Sequence, residues 1–366
     1  MEPPIQNDVP VNNRSSSINP DALNELLGRM VNDLGAAVTG ALVVLGDGLG
    51  IYRALAEIGP ATSERLASKT KLHERQLREW LSAQAASGYI TYDAETETFS
   101  LTPEQGAVFA DPNSIAAMTG GFYAVSSVYH DEPQIAESFR TGKGLPWGKH
   151  NSCLFCGTER FFRPGDEANI CQNWIPALDG VTGKLKSGTT VADIGCGHGI
   201  STLIMAKAFP NSTFYGFDLH PESIDAANSH AEQQRLGNVH FSVASAKNFP
   251  GSDYGFVTIF DALHDMGDPV GASAHVREVI NHEGSFMIVE PMANDTLKEN
   301  LNPVGRVYYG FSTMVCTPAS LSQEVGLALG AQAGERRLKA VLSEAGFTRC
   351  RRAAETPFNM ILEARP

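Results

Sequence analysis

Near the middle of the chain, Asp193-Ile194-Gly195-Cys196-Gly197-His198-Gly199 sets three glycines on alternate positions behind an acidic side chain. Glycine lets a backbone turn sharply and approach a ligand, and a helix opening after it offers free N–H groups to an anion. The apolar run Thr190 to Ile194 before this loop reads as a strand. Nineteen residues after Gly199 stands Asp218, at the end of a second strand, Thr213 to Asp218. A carboxylate there can accept both hydroxyls of a ribose. Loop and acid together define a nucleoside-cofactor site at the carboxyl edge of a sheet. A dinucleotide loop would read G-x-G-x-x-G, and here Ile200 occupies the last of those positions.

The elements that must carry this site alternate strand with helix from Thr189 onward. Further strands are expected at His240 to Val243, Phe256 to Phe260, Ser285 to Glu290 and Phe358 to Glu363, with a closing strand at Arg349 to Ala353. That alternation predicts an α/β, Rossmann-like, doubly wound sheet over residues 181–366, the last strand antiparallel. Ahead of it, Ile51 to Ile58, a helix starting at Thr62 or Ser63, and a helix carrying Leu77, Trp80, Leu81 and Ala85 precede two short strands, Tyr89 to Tyr92 and Thr98 to Leu101. Three helices and a hairpin make a winged helix, mostly α, within residues 21–106. Leu23, Leu26, Leu27 and Met30 recur at helical spacing, and Ala36 to Leu45 reads as a buried helix too short for a membrane. Residues 1–20 read as a disordered tail. Residues 107–180, rich in aromatics, read as a connector or lid, with helices expected at Ile115 to Val128 and Ala168 to Leu178.

The loop spacing resembles motif I of the class I S-adenosylmethionine-dependent methyltransferases. The resemblance implies that Asp193, Gly195, Gly197 and Gly199 hold the methionine end of that cofactor and that Asp218, with Leu219 beside it, holds the ribose. It also sets Ser245 and Ala246 against the adenine, where the family often has Asp in place of Ser245. After the fourth strand, Asp261-Ala262-Leu263-His264-Asp265 resembles the Leu-His-Asp segment of plant-type small-molecule O-methyltransferases, with Met266 where those enzymes have Trp. Their His is the catalytic base, and they carry an N-terminal winged-helix dimerisation domain. His264-Asp265-Met266-Gly267-Asp268-Pro269 and the stretch Asn302 to Arg337 also look like a bacterial-type group of winged-helix methyltransferases of largely unassigned substrate.

The expected activity is therefore methyl transfer from S-adenosylmethionine, leaving S-adenosylhomocysteine, to a small-molecule hydroxyl. Imidazole titrates near neutrality, so His264 can take the acceptor's proton, and Glu290 can hydrogen-bond the ring and hold its tautomer. N-, S- or C-methylation, needing proximity without a base, is the alternative. Phe162, Trp174, Arg306 and Tyr309 are candidates for the acceptor pocket; Arg306 would either clamp a carboxylate or pair with the acidic surface.

Composition bounds the rest. The 366 residues carry 28 Lys+Arg against 41 Asp+Glu, a net charge of −13. From Ile51 to Gly106 there are six basic and eight acidic residues, with Asp93, Glu95 and Glu97 at the wing tip. Such a wing is repelled by phosphate, which favours a packing or dimerisation module over a DNA reader, and the resemblance implies a homodimer through it. A cofactor-responsive DNA-binding regulator is the reading from another class. Six cysteines are too few for a disulfide framework, so a cytoplasmic setting is expected, away from nucleic acid and membrane. His150, Cys153, Cys156 and Cys171 have zinc-like spacing, but a second Cys-x-x-Cys is missing and no metal is expected.

Overall fold

Asn19 opens the first helix. Its side chain accepts from the N–H of Asp21 at 2.9 Å, and Pro20 supplies a first-turn residue that needs no N–H partner. The computed structural model describes residues 18–366, so the expected tail lies outside the described residues up to residue 17. Helix α1 (Pro20–Gly48) runs on to join α2 (Ile51–Ile58), α3 (Ser63–Thr70), α4 (Glu74–Ala86) and the hairpin β1 (Thr91–Asp93) and β2 (Thr98–Ser100), with α5 (Pro103–Phe109) closing the unit. Thr62 caps α3. Leu55, Leu66, Leu77, Leu81 and Phe99 form a common core, which Trp80 joins by donating its indole N–H to the carbonyl of Leu42 at 2.9 Å.

Here α1 departs from the expectation of a buried helix. Only Thr39, Gly40, Val43 and Gly46 are buried on it, while Val31, Leu34 and Val38 are 68%, 63% and 66% exposed. The apolar stripe is real, but among the described residues no element covers it. By length and composition alone α1 could cross a membrane. Its C-terminal end is instead fixed in the winged-helix core, where a Cβ on Gly46 would stand 2.2 Å from the Trp80 ring.

The connector is more helical than its sequence suggests. Helices α6 (Thr119–Thr141) and α7 (Cys153–Asn169) are long, and each contains a proline, Pro133 or Pro164. Proline normally ends a helix, which hid α7 and the part of α6 beyond the expected Ile115 to Val128 from a periodicity reading. The expected helix at Ala168 to Leu178 is a π-turn over Ile170–Trp174 followed by a 3-10 turn over Ile175–Ala177. The two helices pack backbone to backbone through glycine: a Cβ on Gly120 would lie 2.5 Å from the Phe161 nitrogen, and one on Gly157 2.4 Å from that of Ala124. Asp131 binds His150 Nδ1 at 2.8 Å in the seam, both side chains buried.

The catalytic layer follows as α8 (Val181–Ser187), β3 (Thr190–Ile194), α9 (Ile200–Ala208), β4 (Thr213–Asp218), α10 (Pro221–Gln234), β5 (Val239–Val243), β6 (Tyr254–Phe260) and α11 (Pro269–Val279). It ends with β7 (Ile280–Pro291), α12 (Pro303–Phe311), α13 (Thr317–Leu321), α14 (Gly334–Glu344), β8 (Arg349–Glu355) and β9 (Asn359–Arg365). The sheet runs β5-β4-β3-β6-β7-β9-β8. Its first five strands are parallel, and β9 lies antiparallel to both β7 and β8. Strand order reverses at β3, and the carboxyl ends of β3 and β6 flank the resulting crevice, the place where such sheets bind ligands.

Candidate active site

A cavity of about 540 Å³ fills that crevice. Its floor is the glycine loop with the ends of β4, β5 and β6, and its roof is one face of α7. Gly197 opens onto it: φ is +52°, and a Cβ there would touch nothing within 4 Å. Asp218 is fixed by two backbone donors, Gly197 N–H to Oδ2 and His220 N–H to Oδ1, each at 2.9 Å. Both oxygens keep lone pairs for the hydroxyls of a ribose. Leu219, Ser245, Ala246, Gly195, Asp261 and Ala262 also line the cavity. Asp261 takes a left-handed φ of +46° and accepts the Asn359 side-chain N–H at 2.9 Å, so a closing-strand residue steadies the loop after β6.

Two members of the predicted cofactor set do not reach the cavity. Asp193 is 1% exposed beneath the loop. Its Oδ1 accepts from Thr258 at 2.8 Å and its Oδ2 from Ser201 at 2.8 Å and Thr202 at 2.5 Å. Burial pushes its carboxyl up to about 6, against the pull of these hydroxyls. Asp193 thus ties strand to helix and shapes the loop from below. Gly199 serves packing: with φ at +80°, a Cβ would lie 2.6 Å from the Phe241 ring and 2.9 Å from the Ala227 Cβ.

His264 sits in a short 3-10 turn after β6 and is 3% exposed. Glu290, at the end of β7, receives the Leu263 N–H at 3.0 Å on Oε1 and binds His264 Nδ1 at 2.7 Å through Oε2. On the other side Nε2 lies 3.0 Å from Asp265 Oδ1. That approach has an ion-pair distance without hydrogen-bond alignment, and Oδ1 has no other partner. Burial disfavours charge on the ring, but the flanking Asp265 and Glu290 outweigh it and hold the imidazole well above its ordinary range. The two carboxylates thus favour the charged form of the ring. Of the three groups, Asp265 is the one that lines the cavity.

The substrate candidates separate. Phe162 lines the cavity from α7. Trp174 does not; it is 2% exposed in the core beneath the sheet, 6.4 Å from the Phe260 ring. Arg306 extends over the surface to Asp33 of α1 at 2.8 Å, the pairing alternative, and is 70% exposed. Tyr309 is half-buried outside the cavity lining. Among the described residues, His150 and the cysteines at 153, 156 and 171 form no metal-sized group; the one such cluster is His264, Asp265 and Cys316.

Of the roof, sequence reading found Phe162 within a connector or lid and missed the other residues. Phe155, Thr158, Glu159, Phe162 and Asp166 all line the cavity. Their spacing of 3, 1, 3 and 4 residues is a helix face, legible once Pro164 is allowed inside the helix. Glu159 binds His198 Nδ1 of the glycine loop at 2.6 Å and also pairs with Arg163. Lys247 pairs with Asp268 at 2.8 Å across the cavity wall.

Residues 185–346 match the family described as methyltransferase domain, and residues 36–110 the Rv2258c-like winged HTH domain. A ubiquinone biosynthesis O-methyltransferase of Acinetobacter baylyi is 28% identical over 142 residues, 38% of this chain and 53% of that protein. The chain spans about half the length of the curated relatives it matches. An O-methyltransferase family protein from Burkholderia thailandensis superposes with a TM-score of 0.67 at 18% identity, covering 93% of this chain and 97% of that one. Human N-acetylserotonin methyltransferase, solved with S-adenosylmethionine, gives 0.66 at 16% identity, covering 96% of this chain and 99% of that one. At such identities the likeness is one of fold. Fold and domain matches together define the class: an S-adenosylmethionine-dependent methyltransferase domain carried behind a winged-helix domain.

The cavity fits that cofactor on its own terms. The open face of Gly197 admits close backbone approach, and the capped Asp218 suits a ribose. When bound, the cofactor supplies an already activated sulfonium methyl. The chain must then orient an acceptor and exclude water.

Proposed function

We propose that this protein methylates a hydroxyl of a ring-bearing small molecule, acting as a homodimer through its N-terminal domain. The carrying observation is the Glu290–His264–Asp265 chain, with Asp265 on the cavity wall. In this reading the acceptor hydroxyl gives its proton to the Asp265 carboxylate as the O–CH3 bond forms. The ring of His264, anchored by Glu290, aims that carboxylate. His264 thereby positions the base, a refinement of its assignment as the base itself. Trp147, Phe155, Phe162 and Phe260 on the cavity wall favour an aromatic acceptor. The uncovered stripe of α1 supports the dimer, because a second copy would remove it from water.

The test is a panel of phenolic and other hydroxylated acceptors incubated with S-adenosylmethionine, reading S-adenosylhomocysteine formation. Asp265→Asn and His264→Ala should each lower kcat by roughly a hundredfold or more while S-adenosylhomocysteine still binds with wild-type affinity. Full activity in both variants would favour N-, S- or C-methylation by proximity. Absence of turnover on every acceptor would remove the hydroxyl reading.

A further inference from the structure

Asp166 shares the roof face of α7 with Glu159, yet the two carboxylates differ in their partners. Glu159 is held by His198 and Arg163. Asp166 lines the cavity and, among the described residues, has no hydrogen bond or ion pair. The charges that bear on it are acidic, Asp193 and Glu167, and it in turn bears on Asp261. Burial and these neighbours push its carboxyl well above the ordinary range. The residue is half-buried, and a carboxylate without a partner among like charges is relieved by a cation.

Its location says which cation. Asp193 and Asp261 belong to the carboxyl ends of β3 and β6, whereas Asp218 and Ser245, at the ends of β4 and β5, suit the nucleoside half of the cofactor. The methionine half brings a carboxylate, which loop N–H groups can receive, and an α-ammonium, which needs an acceptor. Asp193, the acid that motif I offers, has both oxygens taken by three hydroxyls and is walled off from the cavity. Asp166 is an unengaged carboxylate at that end. We propose that Asp166, from the connector helix rather than from the sheet, receives the α-ammonium of the cofactor. This rests on the reading of the cavity as an S-adenosylmethionine site. It makes α7 a cofactor-binding element as well as a roof.

The experiment compares two ligands by calorimetry on the full chain. S-adenosylhomocysteine carries the ammonium; 5′-methylthioadenosine has the same nucleoside and thioether without it. Asp166→Asn should weaken S-adenosylhomocysteine roughly ten- to hundredfold, the range of a charged hydrogen bond, and leave 5′-methylthioadenosine unchanged. The unchanged ligand also reports that the variant is folded. Equal weakening of both ligands would mean a structural role and overturn the proposal, as would no weakening of either. Failure of the wild type to bind either ligand would bring down the cofactor reading itself, and this assignment with it.

Discussion

His264 carries a consequence for stability as well as chemistry. Its pKa in the fold lies well above the ordinary value of 6.5 because Asp265 and Glu290 outweigh the burial of the ring. A raised histidine stabilises fully below its unfolded pKa, and that stabilisation is lost as pH rises through the folded value. Thermal melts from pH 7 upward should show wild-type Tm falling toward alkaline pH, and His264→Gln should lack this component. If His264 itself took the proton, kcat would instead climb with alkaline pH as the ring discharges. A pH–rate profile that is flat through neutrality supports Asp265. Gly199→Ala is the second prediction at this scale. A left-handed backbone costs a residue with a Cβ about 1–2 kcal/mol. The close Phe241 ring adds about 1–3 kcal/mol of overpacking. Denaturant melts should show the combined loss.

At the scale of elements, α7 is the part on which the site most depends. Glu159 joins it to His198 of the glycine loop. Glu159→Gln weakens that joint, so limited proteolysis should cut within residues 153–169 faster in the variant, both with and without S-adenosylhomocysteine. Equal cleavage would mean that packing through Gly120 and Gly157 holds the helix unaided. This same element marks the boundary of what the sequence disclosed. β3 and β4 were legible to the residue, because buried parallel strands are short apolar runs bounded by turn signals. Ile51–Ile58 was equally clear, with Gly59 ending it. The extent of the roof helix was not, because Pro164 lies inside it. Burial could not be read either. Asp193 fits a cofactor motif in text, but only three-dimensional packing shows that its oxygens are spent on Ser201, Thr202 and Thr258. Trp174 likewise looked like a pocket aromatic and proves to be core.

For the whole molecule, charge and apolar surface divide the work between the two ends. On α4, Arg75 pairs with Glu79 at 2.5 Å and Arg78 with Glu74 at 3.2 Å, so the helix that would read DNA is internally neutralised. Gel shifts at low salt should therefore show no complex; a salt-sensitive band would revive the regulator reading. The exposed stripe of α1 is where self-association is expected. Leu34→Lys with Val38→Lys should convert a dimer to a monomer in light scattering, with S-adenosylhomocysteine affinity preserved in the separate catalytic layer. A monomeric wild type would sink that expectation.

The joint between roof and floor also bears on the tempo of turnover. If a ligand under α7 leaves only after the Glu159–His198 contact opens, spent cofactor escapes at the rate of that opening. Rapid-quench measurements on a good acceptor should then show a burst of about one methylated product per chain, followed by a slower steady phase set by egress.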